Sequence, residues 1–518
     1  MNNGTSSQKE FTHKEIMTVM AGLMTGIFLA ALDQTIVSTA LKSIVEEFNG
    51  LSHYTWVVTA YLLTSTAVTP LYGKFSDIYG RRPVYIFAIV TFLVGSLLSG
   101  AATDMNQLII FRAIQGIGAG GLFALSFIII GDIVAPRERG KYQGLFGAVW
   151  GVSSVAGPLL GGFFAGQGEI LGITGWRWIF YINLPFGILS LFVISSVLHI
   201  KSRKVNHSID YLGAISLVTG VTSLLLAVSV TGPEDGWLHP FTLSYFAIAF
   251  IFSSIFIWWE FRAKEPLLPM RLFKNHTFTL TSLIAFIVGA GMFGAIVLLP
   301  LYMQVNLQYS PSEAGLKLIP MMLGIVAMAI TSGRLISRTG KYKRFPVTGM
   351  AIMVIAIALF TTINRDMPYW QLAIYAALMG MGIGLSMQTI VIALQNDVDQ
   401  SDMGVATSSN TFFRSLGASF GTAIFGTVLT NQFIEKVKVD LPTNLVDEAI
   451  SGVTENTALI AVLPFEIQEI IYASFDSAFS FVFWLVLPII SIGFFLTLRL
   501  RERPLRETVN QNTGEAAG

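Results

Sequence analysis

The sequence contains no cysteine and carries little charge. The absence of cysteine excludes disulfides, thiolate metal sites, iron–sulfur clusters and a cysteine nucleophile. Only 12% of the 518 residues are charged, about half the share found in an ordinary soluble domain. The net charge of +1 gives no indication of a nucleic-acid or acidic partner. These deficits point away from a soluble protein.

Motifs for enzyme chemistry are also missing from the sequence. It has no glycine-rich phosphate loop, so ATP is not the expected energy source. The six histidines lie in tails, loops or ends of apolar runs, without metal-ligand spacing; they are His13, His53, His199, His207, His239 and His276. We therefore predict no enzyme activity, no metal and no cofactor.

Hydrophobic residues make up 53% of the chain and are gathered into long runs. A run of about 20 apolar residues crosses the roughly 30 Å hydrocarbon core of a bilayer as a helix. The pattern predicts an all-α polytopic membrane protein with fourteen spans, near 17-41, 54-72, 83-102, 107-133, 142-166, 176-199, 210-230, 241-262, 277-303, 312-334, 346-363, 370-395, 405-430 and 474-499.

Basic residues alternate between the two sides of these spans. Twenty-four of the 32 Lys and Arg residues fall on one side, four on the other and four inside spans. The positive-inside rule then predicts a multi-pass protein with both termini cytoplasmic. The loop 396–404 is an exception, because it lies on the basic side but all of its charged residues are acidic.

A short pattern recurs in the two halves of the chain. The loop after span 2 runs from Gly73 to Arg82, and the same glycine and basic spacing begins again at Gly333, 260 residues later. Parallel repeats are a known transporter plan, with the substrate path between the repeats. We therefore expect two six-helix bundles with the substrate path between them.

The predicted domain boundaries follow from this repeat. The bundles are residues 1-200 and 276-500, separated by a linker, 201-275, with two additional central transmembrane helices and followed by a cytoplasmic tail, 501-518. A long external loop is expected at 431-473, with amphipathic pieces such as 464–474 resting on the outer surface.

The first copy of the repeated pattern suggests a charged latch. Its glycines permit a tight turn and close helix approach, and an acid there can accept hydrogen bonds from a nearby arginine or helix terminus. The predicted gating residues are Gly73, Asp77, Gly80, Arg81 and Arg82. Because Ser337 replaces the acid in the second copy, the latch should be asymmetric. The alternative is a plain basic loop.

Span 5 is rich in glycine and contains a proline. Small residues let membrane helices touch backbone to backbone, and proline loosens the helical hydrogen bonds, so this span is predicted to bend. The residues concerned are Gly151, Gly157, Pro158, Gly161 and Gly162. The alternative for the glycines is ordinary helix packing.

Two charged residues lie at matching depth inside the predicted membrane region. Asp33 and Arg112 both fall about 8 to 12 Å below the outer surface, at 1.5 Å per residue. A carboxylate in hydrocarbon is costly unless it is paired or protonated, so Asp33 should take a proton when Arg112 does not stabilise its charge. They are the predicted proton-coupling pair; the alternative is a permanent structural ion pair.

Four stretches resemble the fourteen-helix drug:proton antiporters of the major facilitator superfamily. They are 32–37, 73–82, 112–118 and 151–162. The resemblance implies export of lipophilic, often cationic compounds, driven by the proton gradient without a cofactor. Substrate and proton would compete for Asp33 while the two bundles rock about a central cavity.

Other residues in the spans are assigned less directly. Arg414 could pair with Asp132 or with the acids at 397–402, as a structural or a gating charge. Residues that could line a substrate cavity, with core packing as the alternative, are Gln34, Gln115, Trp150, Met292 and Met387.

The sequence therefore predicts a monomeric multidrug exporter whose partners are small amphipathic molecules, protons and the bilayer. Two alternatives remain: a dedicated exporter of a lipid, siderophore or metabolite on the same fold, and a membrane sensor that transports nothing.

Overall fold

The computed structural model describes residues 12–48, 54–198, 210–232, 236–441, 446, 460 and 463–505. Helices are numbered here in chain order: α1 His13–Phe48, α2 Tyr54–Tyr79, α3 Arg81–Ala101, α4 Met105–Ile133, α5 Pro136–Ala165, α6 Trp178–Tyr181, α7 Asn183–Val197, α8 Tyr211–Leu226, α9 Pro240–Glu260, α10 His276–Val305, α11 Pro311–Lys317, α12 Ile319–Thr339, α13 Arg344–Phe360, α14 Tyr369–Asp397, α15 Met403–Asp440 and α16 Phe465–Leu498. A small antiparallel hairpin, β1 Glu169–Ile170 and β2 Ile173–Thr174, which the all-α prediction lacked, follows α5.

Polar caps fix where several helices begin. The Asp104 carboxylate accepts a hydrogen bond from the backbone N–H of Gln107 at 2.9 Å, at the start of α4. Ser310 and Glu313 form a reciprocal capping box before α11. Such caps satisfy backbone donors that an apolar helix leaves free at its first turn.

Twelve helices of the described part are long and apolar enough to cross a membrane. Two further helices, α2 and α13, lie where spans 2 and 11 were predicted, but α2 is not among the twelve and α13 is only 17 residues long. The structure thus supports a multi-pass helical membrane protein, and the count of fourteen stays a prediction.

The helices form two halves, each with its own apolar core. The leading half comprises α1–α7 and the trailing half α10–α16, and the buried side chains of each pack mainly among themselves. Helices α8 and α9 pack on each other, and α8 also packs on α2. The halves meet along α5 with α12 and α2 with α15. The predicted boundary near residue 200 lies outside the described residues.

The long external loop predicted at 431-473 is wrong at both of its ends. Helix α15 continues to Asp440, and α16 begins at Phe465 after the cap Pro464. The expected surface piece 464–474 is therefore the first part of the last helix, where Ile471 is buried in the trailing core. At 1.5 Å per residue the 34 residues of α16 span about 51 Å, longer than the hydrocarbon core.

The basic connections collect at one end of the molecule, which we call the basic end. It contains the α2–α3, α4–α5 and α12–α13 turns, residues 261–275 and residues 499–505. Two of the three acids in the segment 396–404 pair there with basic side chains. Asp397 pairs with Arg503 at 2.5 Å and Asp402 with Arg271 at 2.8 Å. The exception to the charge pattern is thus a set of ion pairs with other segments of the basic end.

Candidate functional site

A fully buried carboxylate lies inside the leading half. Asp33 on α1 accepts a hydrogen bond from Arg112 Nη1 on α4 at 2.5 Å, and both side chains are almost completely excluded from solvent. The equal depth read from the sequence is thus confirmed as a contact. Removing one partner from a buried pair leaves an uncompensated charge, at a cost of about 3–5 kcal/mol.

Amides complete the environment of this carboxylate. Gln115 donates to Asp33 Oδ1 at 2.8 Å and accepts from Arg112 at 2.7 Å. Asn183, at the start of α7, donates to the same Oδ1 at 3.2 Å. The Arg112 guanidinium lies 4.3 Å from the centroid of the Tyr61 ring. Donors from α4 and α7 therefore hold the acid of α1, and α2 contacts the arginine that pairs with it.

Sequence reasoning missed Asn183 and Tyr61. Asn183 was visible as a lone amide inside an otherwise apolar span, the type of residue that membrane helices rarely carry without a partner. Tyr61 gave no such signal, because tyrosine is common in these helices.

The predicted latch forms at the basic end. Arg81 donates to Asp77 at 2.5 Å and to Asp132 on α4 at 2.5 Å. A Cβ on Gly404, the second residue of α15, would overlap the Asp77 carboxylate. The acid thus lies against the N-terminus of a helix, where negative charge is favoured.

The latch joins the two halves. Gln400, just before α15, donates to Asp132 Oδ1 at 3.0 Å. A Cβ on Gly73 would come within 2.7 Å of the Gly404 carbonyl oxygen, so only glycine allows this approach. Gly80 turns the chain with φ of 93°, a value that favours glycine. Arg82 instead bonds to the Ser195 carbonyl within the leading half.

The second copy closes the other side of the basic end, and a serine, Ser337, stands where the first copy has its acid. A Cβ on Gly140 of α5 would lie 3.0 Å from the Gly333 Cα of α12, so these backbones are in contact. Arg137 donates to the Ser337 carbonyl at 3.3 Å. An acid–arginine contact marks the first copy and a backbone contact marks the second, so the two copies differ as predicted.

A buried amide bridge between the halves was not predicted. Gln143 on α5 donates to Gln395 on α14 at 3.1 Å, and Gln395 donates to the Phe127 carbonyl on α4 at 3.0 Å. Arg139 adds a bond to the Gln395 carbonyl at 3.3 Å. Single glutamines near helix ends carry no sequence signal of pairing. Together with both copies of the repeat, this bridge closes the basic end.

Helix α5 approaches α1 through its glycines. A Cβ on Gly157 would overlap the Thr35 hydroxyl, and one on Gly161 would lie 2.6 Å from the Ile36 carbonyl oxygen. Gly151 and Pro158 face the trailing half, with Pro158 touching Gly315 of α11. Gly162 is exposed and does not take part in this packing, and bending of the helix stays a prediction.

The residues suggested for a substrate cavity separate into two groups. Gln115 is fully buried in the Asp33 network and Met292 is 2% exposed in the trailing core, so both lie in packed interior and not on a cavity wall. Trp150, on α5, packs into the trailing core, and Gln34 and Met387 are half-buried.

The partners predicted for Arg414 are wrong. Asp132 is bonded to Arg81 and Gln400, Asp402 pairs with Arg271, and Asp397 pairs with Arg503. Arg414 lies eleven residues into α15, so it is about 16 Å from the helix end where these acids lie. Its guanidinium carbon is 5.7 Å from the centroid of the Phe127 ring.

Arg81→Lys should weaken closure of the basic end. A lysine ammonium lacks the planar fork that reaches Asp77 and Asp132 together, and a charged hydrogen bond contributes about 1.5–3 kcal/mol. The chain has no cysteine, so the single variant Ser408→Cys reports on this interface, where Ser408 is fully buried. We expect maleimide labelling in nanodiscs to be about tenfold faster with Arg81→Lys.

The matched control is Arg82→Lys, which removes an arginine from the same turn but from a bond within one half. It should leave the labelling rate unchanged. Equal acceleration by both variants would contradict a specific latch.

The chain is similar in sequence to known transporters. The family model of the Major Facilitator Superfamily matches residues 23–422. The chain is 41% identical over 421 residues to the multidrug transporter protein MdtP of Bacillus subtilis, covering 81% of this chain and 76% of that protein. It is 36% identical over 438 residues to the multidrug resistance protein 3 of Bacillus subtilis, covering 85% of this chain and 84% of that protein.

The chain is also similar to a fungal protein and, in its fold, to solved structures. Identity to the multidrug resistance protein fnx1 of Schizosaccharomyces pombe is 32% over 521 residues, covering 98% of this chain and 96% of that protein. The proton:xylose symporter XylE bound to a sugar analogue superposes with a TM-score of 0.60 at 15% identity, covering 95% of this chain and 97% of that structure. That likeness concerns the fold alone.

Proposed function

We propose, from the premise that this chain belongs to the Major Facilitator Superfamily, that it exports small amphipathic compounds in exchange for protons. The proposed setting is the bacterial cytoplasmic membrane, with the basic end and both termini inside. The relatives named as multidrug transporters support drug efflux. The observation that carries the proton step is the fully buried Asp33, held by Arg112 and two amides.

The chemistry of this site suits a two-state switch. While Asp33 is ionised, its bonds to Arg112, Gln115 and Asn183 hold α1, α4 and α7 together. Protonation removes the charge that these donors stabilise and loosens α1 from its neighbours. A bound proton therefore favours a different packing of α1, which is the differential interaction that any ligand-driven change requires.

A continuous set of contacts leads from this acid to the interface between the halves. Thr35, two residues beyond Asp33, donates to the Ser153 carbonyl of α5 at 3.1 Å. The same α5 carries Gly140, which contacts Gly333 of the trailing half. Movement of α1 would therefore act on the helix that closes the basic end. Each half has its own core, so the halves can move as bodies.

The test is transport by purified protein in liposomes under an imposed pH difference, using several chemically unrelated amphipathic dyes. We expect gradient-driven movement of more than one dye, abolished when a protonophore collapses the gradient. Tight preference for one lipid or metabolite would instead indicate a dedicated exporter. Absence of flux for every dye under either gradient direction would contradict transport and favour a sensor.

A further inference from the structure

Arg414 is a buried cation whose charge no acid balances within the described part of the chain. Its side chain is 8% exposed and makes no hydrogen bond or ion pair with the described residues. Its guanidinium carbon lies 5.7 Å from the centroid of the Phe127 ring. By contrast, the deeply buried Arg112 has an acid and Arg139 has carbonyl oxygens.

The depth of Arg414 makes this situation costly. About 16 Å of helix separate it from the basic end of α15, which places it near the middle of a hydrocarbon core about 30 Å thick. A side chain there cannot reach the water interface as residues near helix ends do. Intramembrane charges without a permanent partner typically mark a substrate or ion pathway.

The acids of the interior are already engaged elsewhere. Asp33 is bound by Arg112, and Asp132 by Arg81. Asp476 of α16 accepts from Tyr302 at 2.6 Å and Asn306 at 2.6 Å. A group from outside the described part of the chain must therefore balance Arg414.

The position of the side chain is between the two halves. The backbone of α15 is pressed against α10 at this level, because a Cβ on Gly289 would overlap the Arg414 carbonyl. The guanidinium lies over Phe127, which belongs to α4 of the leading half. Substrate paths of transporters built from parallel repeats run along this interface.

The surroundings indicate the kind of group that would bind. Guanidinium presents a planar fork of donors that matches a carboxylate or sulfonate. Phe127 packs edge-to-face on Phe146, with ring centroids 5.1 Å apart, and both rings are buried, so the side of the leading half next to the cation is aromatic. An aromatic or apolar body carrying an acidic group fits both features.

We propose that Arg414 binds the acidic group of the transported compound, so that the substrates include amphipathic carboxylates, sulfonates or zwitterions and not only cations. This rests on the proposed export function. Binding neutralises the one cation that the halves enclose without a partner in the described residues, and it therefore favours closure of the halves around the loaded site.

The test uses a matched pair of probes, tetramethylrhodamine with a free carboxylate and its methyl ester, which differ only in that group. Affinity is measured by fluorescence polarisation with purified protein, and transport is measured in liposomes. The wild type should bind the acid more tightly than the ester. Arg414→Gln should weaken binding of the acid about 10- to 100-fold, with less than about a twofold change for the ester.

Two further variants separate recognition from stability. Arg414→Lys keeps the charge without the fork and should lose an intermediate part of the affinity for the acid. Arg344→Gln makes the same substitution as Arg414→Gln at an exposed position of the same half and should change neither affinity.

The outcomes are distinguishable. Equal loss for both probes, or a wild type that does not prefer the acid, would overturn the assignment and leave export untouched. Preference for the acid that depends on Arg414, without transport of either probe, would contradict the proposed export and keep this site.

Discussion

Asp33→Asn should eliminate accumulation driven by the proton gradient. The amide has the shape of the carboxyl group and can still accept from Arg112, but it neither gains nor loses a proton. With one coupled proton, a pH difference of two units sustains a substrate gradient of about 100-fold. The variant should equilibrate its substrate and sustain no gradient, which is measured as steady-state dye accumulation in liposomes.

The substitution is chosen to keep the protein folded. Asp33→Ala would leave Arg112 without its acid in the interior, at a cost of about 3–5 kcal/mol. The matched control is Asp104→Asn, the same change at an exposed helix cap where asparagine serves equally well. It should transport as the wild type does. Undiminished accumulation by Asp33→Asn would rule out this acid as the proton site.

The sequence predicted those parts of the site that follow from the depth of a residue in the membrane or from its spacing along the chain. Asp33 and Arg112 could be paired because distance along a helix fixes depth, and both lay equally far from the same surface. The latch could be proposed because its acid and its arginine lie four residues apart, with a glycine turn between them that brings the two side chains together.

Contacts that depend on the rotation of each helix, and on which helices are neighbours, could not be predicted from the sequence. Asn183 reaches Asp33 only because α7 packs on α1. Asp132 was assigned to Arg414 and instead binds Arg81, because the turn between α2 and α3 brings that arginine beside the end of α4. The outer loop was misjudged since a helix can extend past the membrane while its polar residues meet water.

Gly333→Leu should hold the basic end open and slow turnover. A side chain at this position would overlap the Gly140 carbonyl, and backbone cannot yield as a flexible side chain does. Forcing extra volume into a packed contact costs about 1–3 kcal/mol, which shifts the balance between states by about 5- to 150-fold. Export should fall by a similar factor.

The readouts distinguish a blocked cycle from a damaged fold. Labelling of Ser408→Cys at the interface should be fast in Gly333→Leu, while dye binding is retained, because each half keeps its own core. Gly426→Leu is the matched control: it adds the same side chain within the membrane helix α15, at a glycine whose Cβ would meet nothing within 4 Å. It should export normally. If Gly333→Leu also exported normally, contact between these two backbones could not be required for closure, and the latch at Asp77 and the Gln143–Gln395 bridge would have to close the basic end.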